Sequence, residues 1–507
     1  PFNDPQKTSE FVAFVLTAVD KARRMVLPDR VHGGYVITQD VNTIQVKSAV
    51  VVDDGLIQFI PTMVRANNRD VIATLSIVAK ADPAGGVYIE RNELAVGEGE
   101  VVINNTRYTS RFMAGLIPTP FLRDILPPRY KLDVLNRILE LVREGKVRLE
   151  IRFDRVYDYV YDVLGRYVHM FELERMLTSL YIISVYFSDI LYKFPIFIVL
   201  GERGSGKRQL AMLLGAAAPI KIDVTHPTEA AIYTITENFH ALMIIDETAI
   251  TDALAELLNA AYEAGHRIPR VTVLENGRAV YGFDPYGPKI LIMRLGIHDL
   301  RDDAKSRSIV IHMIRAVGRS FPDHVDPHHA DALYYSLTLL KLSRFRDFLD
   351  AYAMIKQLLI DEDQRTLDAY APLLAIAYLA AKDSGFKREY VEVFRRVLED
   401  FIAAADERSG ASYIVDRVVK LLIAYIAWTE GVHEEEPGIV RVCWDDFSET
   451  LGPSGGKSFE GGGENRGEEG RGRKRASAEF GVRGRDPEFF HTVLGSAPPF
   501  ASGLKYP

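Results

Sequence analysis

The chain has 507 residues, too many for one hydrophobic core, and a length-based prior predicts about three domains. Its 48% apolar and 26% charged residues are typical of a soluble globular protein, and a net charge of −8 excludes a uniformly basic nucleic-acid binder. The single cysteine, Cys443, excludes an internal disulfide and a cysteine metal framework, which predicts a reducing, cytoplasmic compartment.

The amino-terminal part predicts an accessory domain over residues 1–128. Residues 8–27 have the apolar spacing of an amphipathic helix. Residues 33–112 then show short β-branched runs separated by Gly, Asp and Asn turns, which predicts a β-rich region. Its acidic residues fit turns better than a polymerase or primase site.

A helical connector is predicted next, over residues 129–195, with one helix ending near Gly145. Residues 177–200 are the most apolar stretch, but Asp189, Lys193 and Pro195 interrupt it. This pattern predicts a buried helix followed by a strand and no membrane span.

Strand and helix patterns alternate over residues 196–316, as in a parallel α/β sheet. Residues 317–430 are predicted to be almost wholly helical, and 431–452 resemble the start of a winged domain. Residues 453–507 are rich in Gly, Arg and Glu in their first part, which predicts a disordered tail. That tail either holds nucleic acid non-specifically through its arginines or has no function.

The sequence "IFIVLGERGSGKRQL", residues 196–210, has the pattern of a phosphate-binding loop. Glycines let successive backbone N–H groups converge on phosphate oxygens, and a lysine reaches the outer phosphates. The candidate nucleotide-binding residues are Gly201, Gly204, Ser205, Gly206, Lys207 and Arg208. A plain glycine turn between a strand and a helix is the alternative.

A second glycine-lysine stretch, "GPSGGKS" at 452–458, has no buried strand before it and glycines where a helix is required. A flexible linker explains it better. An acidic pair, by contrast, follows the apolar strand 241–245: Asp246 is suited to hold the water shell of Mg²⁺, and Glu247 to orient an attacking water. The spacing from Lys207 predicts that the two strand ends lie side by side.

Two further positions bear on catalysis. Ring-shaped ATPases usually carry a small polar residue that contacts phosphate or water at the end of the strand between the glycine-lysine and acidic elements. Here that strand, 288–293, is followed by Arg294 after Met293, and neither is the usual residue. Arg307 precedes the last strand of the α/β region, from where an arginine can reach a neighbouring subunit's nucleotide. Pairing of Arg307 with Asp302 or Asp303 is the alternative.

In order and spacing, these motifs resemble the AAA+ ATPase module of primase–helicase-type proteins of mobile elements, phages, plasmids and archaea. The likeness runs over about 170–380 and includes "HPTEAAIY", "ALMIIDET", "YGPKILIM", "SRSIVIHMIR" and the run Pro372–Ala377. It implies an α/β P-loop core with flanking β-rich and all-α regions, ATP and Mg²⁺ as cofactors, and a hexameric ring translocating on DNA, expected to be single-stranded. It also implies catalytic roles for Asp246, Glu247 and Arg307, with Asp246 at the metal.

The resemblance has two departures. Arg294 follows a strand whose end is Asn, Ser or Thr in the family, and Arg208 stands where the family has the Ser or Thr that coordinates Mg²⁺. A guanidinium repels the metal ion, yet it is able to pair with a phosphate oxygen. Nucleotide binding is therefore expected to survive more readily than rapid hydrolysis.

Candidate DNA contacts lie between the acidic strand and the next strand, at Arg267, Arg270 and Arg278, with His266 nearby. Cations of this kind suit backbone phosphates and carry no sequence information. A solvated hairpin explains them equally well.

Three functions remain: a DNA-translocating ATPase acting as helicase or loader, a nucleotide-binding scaffold with little hydrolysis, and a P-loop kinase for a small molecule. The long helical region and the position of Arg307 favour an oligomeric motor over a kinase.

Overall fold

The computed structural model describes residues 42–53, 55–82, 86–110, 119–225, 235–246, 252–274, 277–293, 305–316, 318, 320–359 and 364–409. The helix predicted at 8–27, the partial winged domain at 431–452 and the tail at 453–507 lie outside these residues. So do Cys443 and the glycine-lysine stretch at 452–458.

Strands dominate the first part of the described chain, as its β-branched runs and turns predict. They are β1 (Asn42–Val46), β2 (Ala49–Val52), β3 (Gly55–Ala66), β4 (Arg69–Ala81), β5 (Val87–Val96), β6 (Glu100–Ile103) and β7 (Thr106–Ser110). Two-residue asparagine turns join β3 to β4 and β6 to β7, with positive φ at Asn67, Asn68, Asn104 and Asn105. Asparagine tolerates this left-handed conformation, which matches the twist of a tight hairpin.

The chain divides into two compact units. The smaller comprises Pro1–Gln45 and Glu100–Thr109, and the larger comprises Val46–Gly99 and Ser110–Pro507. Strands β1, β7 and β6 form a three-stranded sheet in that order, and β2, β3, β4 and β5 form an antiparallel four-stranded sheet. The four-stranded sheet therefore belongs to the same unit as the α/β region. The predicted domain boundaries at 128, 195 and 316 remain predictions.

Four α-helices precede the α/β region among the described residues: α1 (Thr119–Ile125), α2 (Arg129–Arg143), α3 (Phe153–Tyr167) and α4 (Glu172–Val185). Leu132, Leu135 and Leu139 have helical spacing and form the buried face of α2, which packs in one cluster with Leu75 and Ile77 of β4. The helix ends as predicted, before Gly145 in the left-handed conformation.

The α/β region is built on a five-stranded sheet in which every pairing is parallel. Its strands are β8 (Ile196–Gly201), β9 (Lys221–Thr225), β10 (Leu242–Asp246), β13 (Lys289–Met293) and β14 (Ser308–Met313). Helices α5 (Lys207–Ala217) and α6 (Asp252–Ala261) and the antiparallel hairpin of β11 (Ile268–Leu274) and β12 (Gly277–Phe283) connect them. An α/β core is therefore confirmed.

The strand order is β14-β8-β13-β10-β9, which corrects one expectation. The strands that precede the glycine loop and the acidic pair are not side by side, because β13 lies between them. Chain spacing leaves this open, since a crossover connection allows a strand to return to an inner position. The expectation that the strand ending at Met293 lies between the two is correct.

Alternate residues of β8 enter different cores. Ile196, Ile198 and Leu200 pack on the side of α6, whereas Phe197 and Val199 belong to the large cluster that contains α3 and α4. This explains the unbroken apolar run of the sequence, because a strand covered on both faces has no polar side.

The described chain ends with three helices, α7 (Pro327–Leu358), α8 (Gln364–Asp383) and α9 (Arg388–Ser409). The Asp326 carboxylate caps α7 by accepting a hydrogen bond from the backbone N–H of His328 at 2.9 Å. Within α7 the backbone departs from helical geometry at Arg344, whose guanidinium donates to both carboxylate oxygens of Asp383 at 2.9 Å. None of the described helices has the length and apolar character needed to cross a membrane.

Candidate functional site

The carboxyl ends of three neighbouring strands define the candidate site. In the parallel register Asp246 of β10 pairs with Ile292 of β13, and Ile292 pairs with Val199 of β8. With about 4.8 Å between adjacent strands, β8 and β10 are about 10 Å apart. The carboxyl ends of β8 and β10 therefore lie on the same side of the sheet, where ligands bind in open α/β folds.

The loop from β8 to α5 has the backbone of a phosphate cradle. Gly204 and Gly206 have positive φ angles of 83° and 88°, and Gly206 is the residue that precedes α5. Residues with a Cβ rarely adopt this backbone conformation, which explains why positions 204 and 206 are glycines. The backbone N–H groups at the start of α5 have no partners within the helix, so the loop can present them to an anion.

Gly201 is required for a different reason, close packing. A Cβ at this position would lie 2.6 Å from the carbonyl oxygen of Met313 and 2.6 Å from the Oγ of Ser205. The carbonyl belongs to β14, the strand beside β8, so it cannot move away cheaply. The sequence indicates the glycine but not its neighbour Met313.

Lys207 is the first residue of α5, and its ammonium group turns back over the loop. Its Nζ lies 2.6 Å from the carbonyl oxygen of Gly201 and 2.7 Å from that of Glu202. These bonds hold the positive charge of Lys207 beside the loop, at the carboxyl end of β8. Carbonyl oxygens carry no net charge, so this ammonium would gain by donating to charged phosphate oxygens at the same place.

Ser205 fits an oxygen-rich ligand in a second way. Its side chain is buried, and its Oγ has no hydrogen-bond partner among the described residues. A buried hydroxyl without a partner costs free energy, so such a group often marks a place where a ligand or water completes the bonding. The donor set of the loop thus fits a polyphosphate.

The described residues fit a metal ion less well than they fit a polyphosphate. Arg208 is exposed in the first turn of α5, and Arg203 is exposed in the loop, so cations flank the cradle. Asp246 is exposed at the end of β10, and Glu247 lies outside the described residues. Across the described ranges no group of three or more His, Cys, Asp or Glu residues is placed to hold a metal ion. Asp246 is left as a single oxygen ligand that could act through water.

The strand between the loop and the acidic pair ends at Met293, which is buried. Arg294 lies outside the described residues. The side chain of Met293 has no hydrogen-bond donor for a phosphate, unlike the small polar residue that ring-shaped ATPases usually carry here.

Arg307 directly precedes β14. It therefore lies at the amino ends of the parallel strands, opposite the carboxyl ends that carry the glycine loop. Its backbone carbonyl accepts a hydrogen bond from the N–H of Ile196 at 3.1 Å. Its guanidinium donates to the Oδ1 of Asn259 at 2.8 Å and lies 5.6 Å from the ring centre of Tyr262. Asp302 and Asp303, the other predicted partners, lie outside the described residues.

The candidate DNA contacts fall on the hairpin of β11 and β12. Arg270 is in β11 opposite Tyr281, and Arg278 is in β12 opposite Val273, next to the turn. Arg267 precedes β11, is exposed, and donates from Nη1 to the carbonyl oxygen of Gly282 at 3.1 Å. Arg267 is therefore at the root of the hairpin, with Arg270 and Arg278 further along it.

Sequence reasoning missed a group of buried charges near the start of β13. Lys289 is 1% exposed, and its ammonium donates only to backbone carbonyls among the contacts resolved for it, those of Pro285 at 2.6 Å and Gly287 at 3.1 Å. Burial, with a smaller contribution from the charge of Lys47, lowers the pKa of Lys289 to about 7. A lysine beside an apolar run gives no sign of such burial.

A second buried lysine, Lys341 of α7, pairs with Asp189 at 2.6 and 2.7 Å. Burial raises the pKa of Asp189, but the ammonium of Lys341, together with His240 and a hydrogen bond from Ser48, outweighs it, and the pKa lies below its usual value. The pair lines a cavity of about 30 Å³ together with Gln58 and His240. That volume suits about one water molecule and no nucleotide, so this cavity is not the candidate site.

No protein-family model matches the chain, and no curated protein matches it. A solved structure that does match is that of a full-length MCM homolog from Methanopyrus kandleri. It is 10% identical, with a TM-score of 0.33 over 69% of this chain and 76% of that chain. A likeness at that TM-score carries no argument about function.

Proposed function

We propose that the loop between β8 and α5 binds ATP. The observation that carries this proposal is the cradle itself: two left-handed glycines, Gly201 packed against β14, and Lys207 held over the loop at the start of a helix. Backbone N–H groups and the helix dipole favour the phosphates, and Lys207 supplies the positive charge for the outermost ones.

The two acidic residues at the end of β10, Asp246 and Glu247, complete the proposed chemistry. Asp246 would hold the water shell of Mg²⁺, and Glu247 would orient the water that attacks the terminal phosphate. The ion, when bound, neutralises charge on the phosphate oxygens. Glu247 would accept the proton of that water as it attacks, and Lys207 would stabilise the charge that develops on the leaving oxygens.

The whole chain is proposed to be a DNA-translocating AAA+ motor, a helicase or loader of a replication or mobile-element system. It would act as a homo-oligomer, hexameric by the resemblance of its motifs. Arg307, at the sheet edge away from its own loop, would face the nucleotide of a neighbouring subunit. The hairpin of β11 and β12 would contact the phosphates of single-stranded DNA.

A nucleotide-gated scaffold is the second candidate, and Arg208 favours it. Its exposed guanidinium occupies the first turn of α5, where a hydroxyl would coordinate Mg²⁺. In this version ATP binds and sets assembly, and hydrolysis is slow.

Steady-state ATP hydrolysis with Mg²⁺, with and without single-stranded DNA, distinguishes the two candidates. The chain carrying Glu247→Gln is the matched blank, because the variant keeps the size of the side chain and removes its charge. DNA-stimulated turnover that disappears in the variant supports the motor. Tight ATP binding with turnover no faster than the blank supports the scaffold, and absence of ATP binding contradicts both.

A further inference from the structure

The hairpin of β11 and β12 is a two-stranded sheet, separate from the five-stranded sheet. An isolated two-stranded hairpin is at best marginally stable in water, so its direction depends on how its root is attached. Ile268 and Phe283, which pair at the root, pack against the apolar cluster between the five-stranded sheet and α6. Apolar contacts of one pair fix the position of the root but leave its angle open.

Lys47, the residue after β1, supplies polar contacts at this root from a distant part of the chain. Its Nζ donates to the carbonyl oxygen of Thr236 at 2.8 Å and to that of Asp284 at 2.9 Å. It also pairs with the Asp284 carboxylate at 2.9 Å. Asp284 directly follows β12, so one ammonium binds both the backbone and the side chain at the point where the hairpin returns to the core.

Glu237 and Arg267 extend these contacts to the other strand. The Glu237 carboxylate accepts a hydrogen bond from the backbone N–H of Asp284 at 2.7 Å and lies 3.9 Å from Nη1 of Arg267. Arg267 donates across the root to Gly282. We call Lys47, Glu237, Arg267 and Asp284 the root cluster.

The arrangement of the root cluster favours a positioning role over a purely stabilising one. Its two cations and two carboxylates form two ion pairs, Lys47 with Asp284 and Arg267 with Glu237, so the charges offset one another. Hydrogen bonds between charged groups and backbone are directional and about twice as strong as neutral ones. They therefore define an angle, which apolar packing does not.

We propose that Lys47 is a positioning residue that, through Asp284, sets the angle at which the β11–β12 hairpin leaves the core. The hairpin's use of that angle to meet single-stranded DNA rests on the proposed function; the bracing of the root does not. Lys47 itself makes no contact with DNA in this proposal.

Hydrogen exchange of the full chain, followed by mass spectrometry, tests the bracing without any ligand. Lys47→Met removes the ammonium and keeps the length of the side chain, and Lys47→Arg restores a donor. We expect Lys47→Met to speed exchange of amides in 268–283 about tenfold, while β4 is unchanged and Lys47→Arg lies within about twofold of the parent. Unchanged exchange in 268–283, or an equal rise in β4, would overturn the proposal.

Fluorescence anisotropy with an oligothymidylate then tests the consequence for DNA. Lys47→Met is expected to weaken binding about tenfold while leaving the salt dependence of the affinity unchanged. A slope smaller by about 0.7 would mean that Lys47 contacts a phosphate directly, and the positioning role would be wrong. If the parent chain does not bind the oligonucleotide, the proposed function fails, while the exchange result still decides the bracing.

A variant on the opposite side of the cluster guards against misfolding of Lys47→Met. Glu237→Gln keeps an acceptor for Asp284 but removes the charge that faces Arg267. It is expected to speed exchange in 268–283 by a smaller factor, about threefold, with β4 again unchanged. No change in either variant contradicts the root cluster as a whole.

Discussion

The guanidinium of Arg307 donates a hydrogen bond to the side-chain oxygen of Asn259, 2.8 Å away, and lies over the ring of Tyr262. Arg307 is thus held by residues of its own chain, at the ends of the strands opposite the glycine loop. A residue proposed to act on a neighbour's phosphate needs such a hold, because an arginine ordered in advance loses less entropy on contact.

Arg307→Ala is expected to lower DNA-stimulated ATP turnover by at least about 10³-fold with little change in ATP affinity, since the guanidinium would act on charge that develops during transfer. Turnover and equilibrium ATP binding are measured on the same preparations. Asn259→Ala is the control: it removes the partner but keeps the arginine, and turnover should fall less than about tenfold. Equal losses in the two variants would show that the pair is structural.

Arg208→Thr is expected to raise Mg²⁺-dependent ATP turnover at least about tenfold. The change removes a cation that repels the metal and places a hydroxyl at the start of α5, where it can coordinate the ion. The measurement is turnover as a function of Mg²⁺ concentration. Arg208→Ala separates the two effects, because it removes the cation without adding a ligand. Turnover that is no higher in the threonine variant than in the alanine variant would contradict the metal-ligand explanation.

Gly201→Ala is expected to destabilise the α/β core more than Gly204→Ala. At Gly204 the added Cβ meets nothing within 4 Å, so the cost is the strain of a φ of 83°, about 1–2 kcal/mol. At Gly201 it meets the carbonyl oxygen of Met313 at 2.6 Å, and β8 or β14 must shift. The free energy of unfolding in urea checks the order, and a reversed order would mean that the strands yield easily.

Lys289 makes stability depend on pH in a defined direction. Its pKa in the folded chain is about 7, while in the unfolded chain it is near its ordinary value of 10.5. Between these values the unfolded chain holds a proton that the folded chain has released. The free energy of unfolding from this residue therefore rises with pH between 7 and 10.5, by up to about 1.4 kcal/mol per unit.

Urea unfolding at pH 7, 8 and 9 measures this dependence. Lys289→Met should be more stable than the parent near pH 7 and should show a flatter profile. Lys387→Met, at an exposed lysine, should leave the profile unchanged. A Lys289→Met profile as steep as that of the parent would show that another group titrates.

The parts of the molecule that the sequence predicts best are local. The loop around Gly204, the apolar strand before it and the asparagine turns depend on neighbouring residues, so their patterns are readable. The position of β13 between β8 and β10 is not local, because chain spacing is the same for either strand order. Contacts between Lys47 and Asp284, or between Lys341 and Asp189, join distant segments through charges that look solvent-exposed in the sequence.

Strand β8 connects the two ends of the proposed chemistry directly. Gly201 closes it at the loop. At its start, five residues and about 17 Å away, the N–H of Ile196 donates to the backbone carbonyl of Arg307. Because β8 is hydrogen-bonded to β13 and β14 on its two sides, it cannot stretch or slide alone. In the proposed motor, β8 would therefore move only together with β14 and with Arg307, so that the loop of a subunit and the side that it presents to a neighbour would behave as one rigid body.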